Sequence, residues 1–148
     1  MKLKVKINPE CPNEMPILDP AKLNDSGYDL VSWVDTKNGI IKILPYTFMN
    51  IRTGASIKLP VGYWGDVRPR SSTFTKRHLI VMNSVIDQDY VGEISYVVWN
   101  ADDVEHTIKN GDRIAQLVLL PRTTPPLQIV NNLPKTVRNT AGFGSTGL

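Results

Sequence analysis

Asp87 follows two apolar residues, Val85 and Ile86, in "VIDQDY". A carboxylate held in such a place can orient a water and take its proton, which contributes about 10²–10⁴-fold in rate. A strand-end carboxylate in solvent is the plainer account of the same residue. "RPRSST" offers Arg70, whose paired N–H donors fit phosphate oxygens, beside the hydroxyls of Ser71 and Ser72. The same letters also describe a capped surface helix. Gln116 interrupts the apolar run "RIAQLV", and a buried amide needs partners. The chain ends on "RNTAGFGSTGL", which lacks the aliphatic residues to build a core. Its glycines allow backbone amides to approach an anion closely. Ser145 and Thr146 add donors, Arg138 adds charge and Phe143 adds an aromatic face. Alone, such a segment is ordinarily a mobile terminus.

Composition narrows the classes. A chain of 148 residues suits one domain. With 41% hydrophobic and 21% charged residues it is an ordinary globular composition, and no apolar run is long enough for a membrane span. "MKLKVKINPE" has lysines with no apolar stretch behind them, so no secretory signal is expected. Cys11 is the lone cysteine, which fits a reducing compartment. A cytoplasmic location is expected, or the host cytoplasm for a viral chain. His78 and His106 stand apart in the sequence with no cysteine partners, so a zinc site made by one chain is not expected. The net charge of +3 is mild, and five of the eleven residues in "RPRSSTFTKRH" are Arg, Lys or His. One cluster this short suits a small phosphate ligand rather than a nucleic-acid groove.

The elements that must position these residues read as short strands. Leu3, Val5 and Ile7 alternate with Lys2, Lys4 and Lys6, the period of a half-buried strand. "GYDLVSWV" reads as a second strand. Asn-Gly precedes "IIKI" and falls again within "HTIKNGDRIAQLVLLP", and both are hairpin signals. "LIVMNSVIDQDYVGEISYVVWNA" reads as two β-rich runs joined by a polar turn, and "LQIVNNL" as a last strand. The best helix is "SSTFTKRH", about two turns with a serine as N-cap. Pro121 and Asn-Gly favour a strand for "DRIAQLVLL". Strands at this spacing mean an all-β sandwich, barrel or jelly roll. From residue 122 onward the chain turns loop-like.

Five islands interrupt the apolar runs in order: "DSGYDL", "RPRSST", "VIDQDYVGE", "NGDRIAQLV" and "RNTAGFGSTG". Each is weak alone. Together they resemble the five motifs of the homotrimeric all-β dUTP pyrophosphatases, from Asp25 to Gly147. The resemblance implies a distorted jelly-roll β-barrel over residues 1–137 with a glycine-rich C-terminal arm over 138–148. It implies hydrolysis of dUTP to dUMP and pyrophosphate with Mg²⁺, the ion bound mainly through the triphosphate and waters. Asp87 would activate the water; Asp89 corresponds to a variable position that points away. Tyr90 would pack on the deoxyribose and exclude a 2′-hydroxyl. Arg70, Ser71, the Ser72 amide and Gln116 would hold phosphates, with Asn83, Val85, Ile86 and Ser95 completing the nucleotide pocket. Arg138, Phe143, Gly144, Ser145 and Thr146 would close over the nucleotide of another subunit. No direct protein ligand to the metal is implied, and Asp29 would sit behind its waters. Asp112 and Arg113 would form a turn and a subunit-interface ion pair.

One departure bears on base choice. The family reads uracil with the backbone of a hairpin before the catalytic aspartate, often through a glycine. Here "MNSVID" passes from Asn83 to Asp87 with three residues between and no glycine. Either the shorter hairpin presents the same amide and carbonyl, or base preference is altered. The persistence of every phosphate and catalytic element favours the first. The related dCTP deaminases use a glutamate where this chain has Val97, and Glu93 lies four residues too early. A non-catalytic nucleotide-binding jelly roll is the remaining alternative.

Overall fold

The structure is a computed structural model that describes residues 2–14, 16–18 and 24–140. Among the described residues, eleven strands and one helix follow in the order β1 (Lys4–Ile7), β2 (Ile17–Leu18), β3 (Gly27–Val31), β4 (Ile40–Ile43), β5 (Phe48–Lys58), β6 (Tyr63–Pro69), α1 (Ser71–Arg77), β7 (Leu79–Val81), β8 (Ser84–Ile86), β9 (Glu93–Asn100), β10 (His106–Lys109) and β11 (Arg113–Pro121). They form a four-stranded sheet β1-β5-β9-β7, a five-stranded sheet β2-β3-β11-β6-β8 and the pair β10-β4. All pairings are antiparallel. This is the all-β, jelly-roll-like architecture expected. No helix among the described residues is long and apolar enough to cross a membrane.

Alternation decides what each strand buries. In β9, Ile94, Tyr96, Val98 and Asn100 face inward, while Glu93, Ser95, Val97 and Trp99 take the other face. The inward set meets Ile43, Ile51, Leu79, Ile108, Ile114 and Leu117 in one apolar core. Each such fully buried side chain stabilises the fold by about 1.5–3 kcal/mol relative to exposure. Buried polar groups in this core are partnered. The Asn100 amide donates to the carbonyls of Ile43 at 3.0 Å and Val104 at 2.8 Å. The Tyr96 and Ser32 hydroxyls share a 2.7 Å hydrogen bond, and burial pushes the Tyr96 phenol well above its usual range.

Several local expectations need correction. β1 has the expected period but lies at a sheet edge with both faces exposed, so it is not half-buried in this chain. The strand read from "GYDLVSWV" ends at Val31, after which Trp33 makes an isolated bridge to Arg52. Neither Asn-Gly closes a hairpin. β4 pairs with β10, whereas β11 pairs with β3 and β6, so each Asn-Gly is a corner between sheets. The two corners pack on one another: Asn110 Oδ1 accepts the Val34 N–H at 2.6 Å and the Asn110 N–H donates to the Gly39 carbonyl at 2.9 Å. A side chain at Gly39, with φ at 64°, would collide with Asn110. "LQIVNNL" forms no strand, and Leu127 and Ile129 are essentially fully exposed. α1 is present, but its N-cap is Arg70 without a side-chain cap, and no serine fills that role.

Candidate active site

Two groups of the expected residues form, at opposite ends of β6. The first lies beyond the start of β6. β8 pairs with β6 through Gly65–Ile86, Asp66–Val85 and Val67–Ser84, which delivers Asp87 just past the paired segment. Val85, Ile86, Asp87, Tyr90, Glu93 and Ser95 line one hollow of about 240 Å³. Ser95 and Glu93 reach it because they share the outward face of β9. The turn after Asp87 is tied down. The Tyr90 N–H donates to the Asp87 carbonyl at 3.0 Å, and the Tyr90 hydroxyl donates to the Glu93 carbonyl at 3.0 Å. Lys58 Nζ donates to the Gln88 carbonyl at 3.1 Å and pairs with Asp89 at 2.9 Å. The Gly62 N–H donates to Gln88 Oε1 at 2.7 Å.

The three carboxylates of this region therefore differ in availability. Lys58 holds Asp89 below the usual carboxylate range and occupies it. Glu93 is gripped by Arg52 at 3.0 and 2.8 Å, and that guanidinium, resting on the Trp33 ring, holds it below its ordinary value against the opposing effect of burial. Asp87 is exposed and forms no ion pair among the described residues. It is the carboxylate of the hollow left free to meet a water.

The second group gathers beyond the end of β6. Arg70 stands in extended conformation at the N-cap, and α1 starts at Ser71. The helix is anchored by the buried Thr73 hydroxyl, which donates to the Ile114 carbonyl at 2.6 Å. Arg70 Nε lies 2.7 Å from Asp29, whose other oxygen takes Arg113 at 3.4 Å. Gln116, opposite Arg68 in β11, donates to the Pro69 carbonyl at 2.9 Å. Gly27 leaves room for that amide, since a side chain there would collide with Gln116 Oε1. Arg70, Ser71, Ser72 and Gln116 thus share one end of the sheet.

Other expectations fall differently. "MNSVID" is no hairpin: β7 pairs with β9 in one sheet and β8 with β6 in the other, so Met82 and Asn83 cross between sheets. Asn83 is exposed and does not line the hollow. As the edge strand, β8 has backbone N–H and C=O groups turned away from β6. Asp112 takes Arg77 at 2.8 and 3.2 Å within the same chain, and its Oδ2 accepts the Lys109 N–H at 3.1 Å across the expected turn. Val97 meets Phe48, Met82 and Trp99 in an apolar hollow and brings no carboxylate. Arg138 belongs to the exposed stretch 122–140, and Phe143, Gly144, Ser145 and Thr146 lie outside the described residues. Lys58, Gln88 and Arg52 were not singled out from the sequence. Of these, the glutamine within "VIDQDY" was the one visible signal.

The donor set fits magnesium carried on a phosphate chain. Magnesium favours oxygen ligands and retains several waters. Asp29 is committed to two guanidinium groups, and no oxygen-only cluster of three carboxylates forms among the described residues. Asp87 remains able to meet a hydrated ion through water. The one cluster of three ligand side chains among the described residues is His78, Asp102 and His106, so the two histidines are not apart in space.

Comparison with known proteins gives one answer. The family model described as dUTPase matches residues 13–147. The deoxyuridine 5'-triphosphate nucleotidohydrolase of Paramecium bursaria Chlorella virus 1 is 38% identical over 123 residues, covering 83% of this chain and 84% of that one. The enzyme of the same name from Escherichia phage T5 is 36% identical over 151 residues, covering 98% of both. The dUTPase of Staphylococcus bacteriophage 80alpha with dUPNHPP superposes with a TM-score of 0.88 at 27% identity, covering 99% of both chains. With a free carboxylate in one hollow, a cationic and hydroxyl-rich cluster at the far end of β6 and this similarity along nearly its whole length, the chain belongs to the dUTPase family, enzymes that hydrolyse dUTP to dUMP.

Proposed function

We propose that this chain splits dUTP into dUMP and pyrophosphate by in-line attack of a water on the α-phosphorus. Asp87 is the general base, and the site is shared between subunits of a homotrimer. The observation that carries this reading is the separation of the two groups along β6. From Gly65, opposite Ile86, to Arg70 is five residues of extended chain, about 16 Å. Adjacent phosphates are one bridging oxygen apart, so the phosphate-binding group that serves Asp87 belongs to a neighbouring subunit.

In that arrangement Asp87 orients the water and takes its proton as the new P–O bond forms. The bond from the α-phosphorus to the bridging oxygen breaks, and pyrophosphate leaves. Arg70, with Ser71 and the Ser72 amide, grips the phosphates, and Gln116 adds an amide donor. When bound through the triphosphate and waters, Mg²⁺ would supply charge neutralisation at the phosphate oxygens. The Tyr90 ring packs against the deoxyribose and fills the space of a 2′-hydroxyl. The outward edge of β8 supports uracil reading by backbone groups around Val85 and Ile86, with no need of a glycine hairpin. Arg138 and residues 143–146 form the arm, a segment of 138–148 separate in role from the jelly-roll domain of 1–137. Phe143 stacks on the base, and Gly144, Ser145 and Thr146 donate to the outer phosphates. The exposed apolar side chains Leu127, Ile129, Leu133 and Val137, in the stretch that leads to the arm, support packing of that stretch on another copy. Nothing in this reading engages nucleic acid.

The test is turnover of dUTP, dCTP, dTTP and UTP by wild type and Asp87→Asn. Hydrolysis confined to dUTP in the wild type, and lost with nucleotide binding retained in the variant, is expected. Unchanged kcat in Asp87→Asn removes the assignment of the base.

A further inference from the structure

The fold brings three ligand side chains from separate segments onto one point. His78 ends α1 with a left-handed backbone, φ at 50°, which turns its ring out of the helical path. Its Nδ1 lies 2.7 Å from Asp102 Oδ2. His106, the first residue of β10, brings Nε2 to 3.0 Å from the same oxygen. The three ligand atoms lie within 4.8 Å of one another.

The carboxylate between them is fixed from behind. The Asp102 N–H donates to Asn100 Oδ1 at 2.9 Å, and Asp102 Oδ1 accepts the Asp103 N–H at 2.9 Å. Asn100 is itself buried and held by two carbonyls. The imidazoles meet edge to face with centroids 6.3 Å apart, and Phe74 stands 6.3 Å from the His78 ring on its other side. His78 is 59% exposed, against 22% for His106 and 20% for Asp102, so the cluster is walled on the inside and open to solvent at His78.

We infer that His78, Asp102 and His106 form a binding site for a divalent transition ion of the zinc class, with water in the remaining position. Two imidazole nitrogens and one carboxylate oxygen are a zinc donor set. Magnesium and calcium prefer oxygen throughout. Both imidazoles already converge on one carboxylate oxygen, so small side-chain rotations admit an ion in place of the two shared protons. Each displaced proton moves to the other nitrogen of a neutral ring, or to solvent from an imidazolium. The backbone and amide contacts behind Asp102 supply the outer support that metal-bound carboxylates need. None of these residues lines the Asp87 hollow. The ion would tie the end of α1 to the β9–β10 connection and to β10.

The test uses the full untagged chain, stripped with EDTA and titrated with Co²⁺ and then Zn²⁺. One Co²⁺ per chain is expected, with the intense visible absorption of four-coordinate cobalt. Zn²⁺ bleaches it, millimolar Mg²⁺ does not, and Zn²⁺ raises the melting temperature. His78→Asn and His106→Gln should each weaken Zn²⁺ binding by more than about 100-fold, beyond the ~10–100-fold that loss of an outer partner causes. His78→Asn also suits the left-handed backbone at that position, so its metal-free melting temperature should match wild type. The weak spectrum of six-coordinate cobalt, or equal Zn²⁺ affinity in wild type and His78→Asn, overturns the site.

Discussion

Two inactive variants should restore each other when they share a trimer. Asp87→Asn removes the proposed base and keeps its shape. Arg70→Ala removes a phosphate grip and leaves Asp29 still paired with Arg113. Within one chain these positions are separated by the length of β6 from Gly65 onward, about 16 Å. A shared site therefore takes Asp87 from one subunit and Arg70 from the next. If the two variants are expressed equally and assemble at random, half the Asp87 donors and half the Arg70 donors are intact, so about a quarter of wild-type turnover returns. With different affinity tags and tandem purification only mixed trimers remain. A ring of three with two kinds of chain has one productive junction, so about a third of wild-type turnover is expected. Pyrophosphate release from dUTP with Mg²⁺ measures this directly, and native mass spectrometry verifies the mixed assemblies. Mixed trimers no more active than their parents would show that each site is built within one chain.

Asp87→Asn alone should lower kcat by about 10²–10⁴-fold while binding of a non-hydrolysable dUTP analogue persists, as read by calorimetry. Removing residues 138–148 should leave the melting temperature unchanged and reduce kcat/KM sharply, whereas Phe143→Ala should cost only one stacking interaction, about 1–3 kcal/mol; wild-type kcat/KM in the truncated chain refutes the arm. Gly27→Ala should displace Gln116 from the Pro69 carbonyl and lower kcat/KM with the fold intact by circular dichroism; unchanged kinetics exclude Gln116 from the phosphate contacts. Arg52 holds Glu93 below the ordinary glutamate value, so this pair stabilises fully above about pH 4.3 and is lost as pH falls through the depressed folded value. Thermal melts of Glu93→Gln should show a shallower loss of stability than wild type in that acid window.

The phosphate and acid chemistry was legible because it sits in short contiguous strings: "RPRSST" becomes the start of α1, and "VIDQDY" becomes the end of β8 and its turn. β9 was legible as a β-rich run after a polar turn, and β11 as an apolar run bounded by Asn-Gly and Pro121. What the sequence hid was partnership. The two Asn-Gly pairs carry the local chemistry of a hairpin, yet the strands they join belong to different sheets. The His78–Asp102–His106 cluster depends on where β9 ends and β10 begins. The Arg77–Asp112 pair likewise depends on packing between distant segments and has no local signature.

Among the described strands, only β2 and β3 are neighbours both in the chain and in a sheet. The five-stranded sheet is centred on β11, which pairs with β3 from residues 27–31 and with β6 from 63–69. Such long-range closure slows folding, because loop entropy must be overcome before the contacts form. During synthesis the earlier strands have no centre to join until residues 113–121 have left the ribosome. A nascent chain stopped before them exposes the edges of β3 and β6 and is prone to aggregation, whereas one released just after Pro121 already holds every strand formed by the described residues.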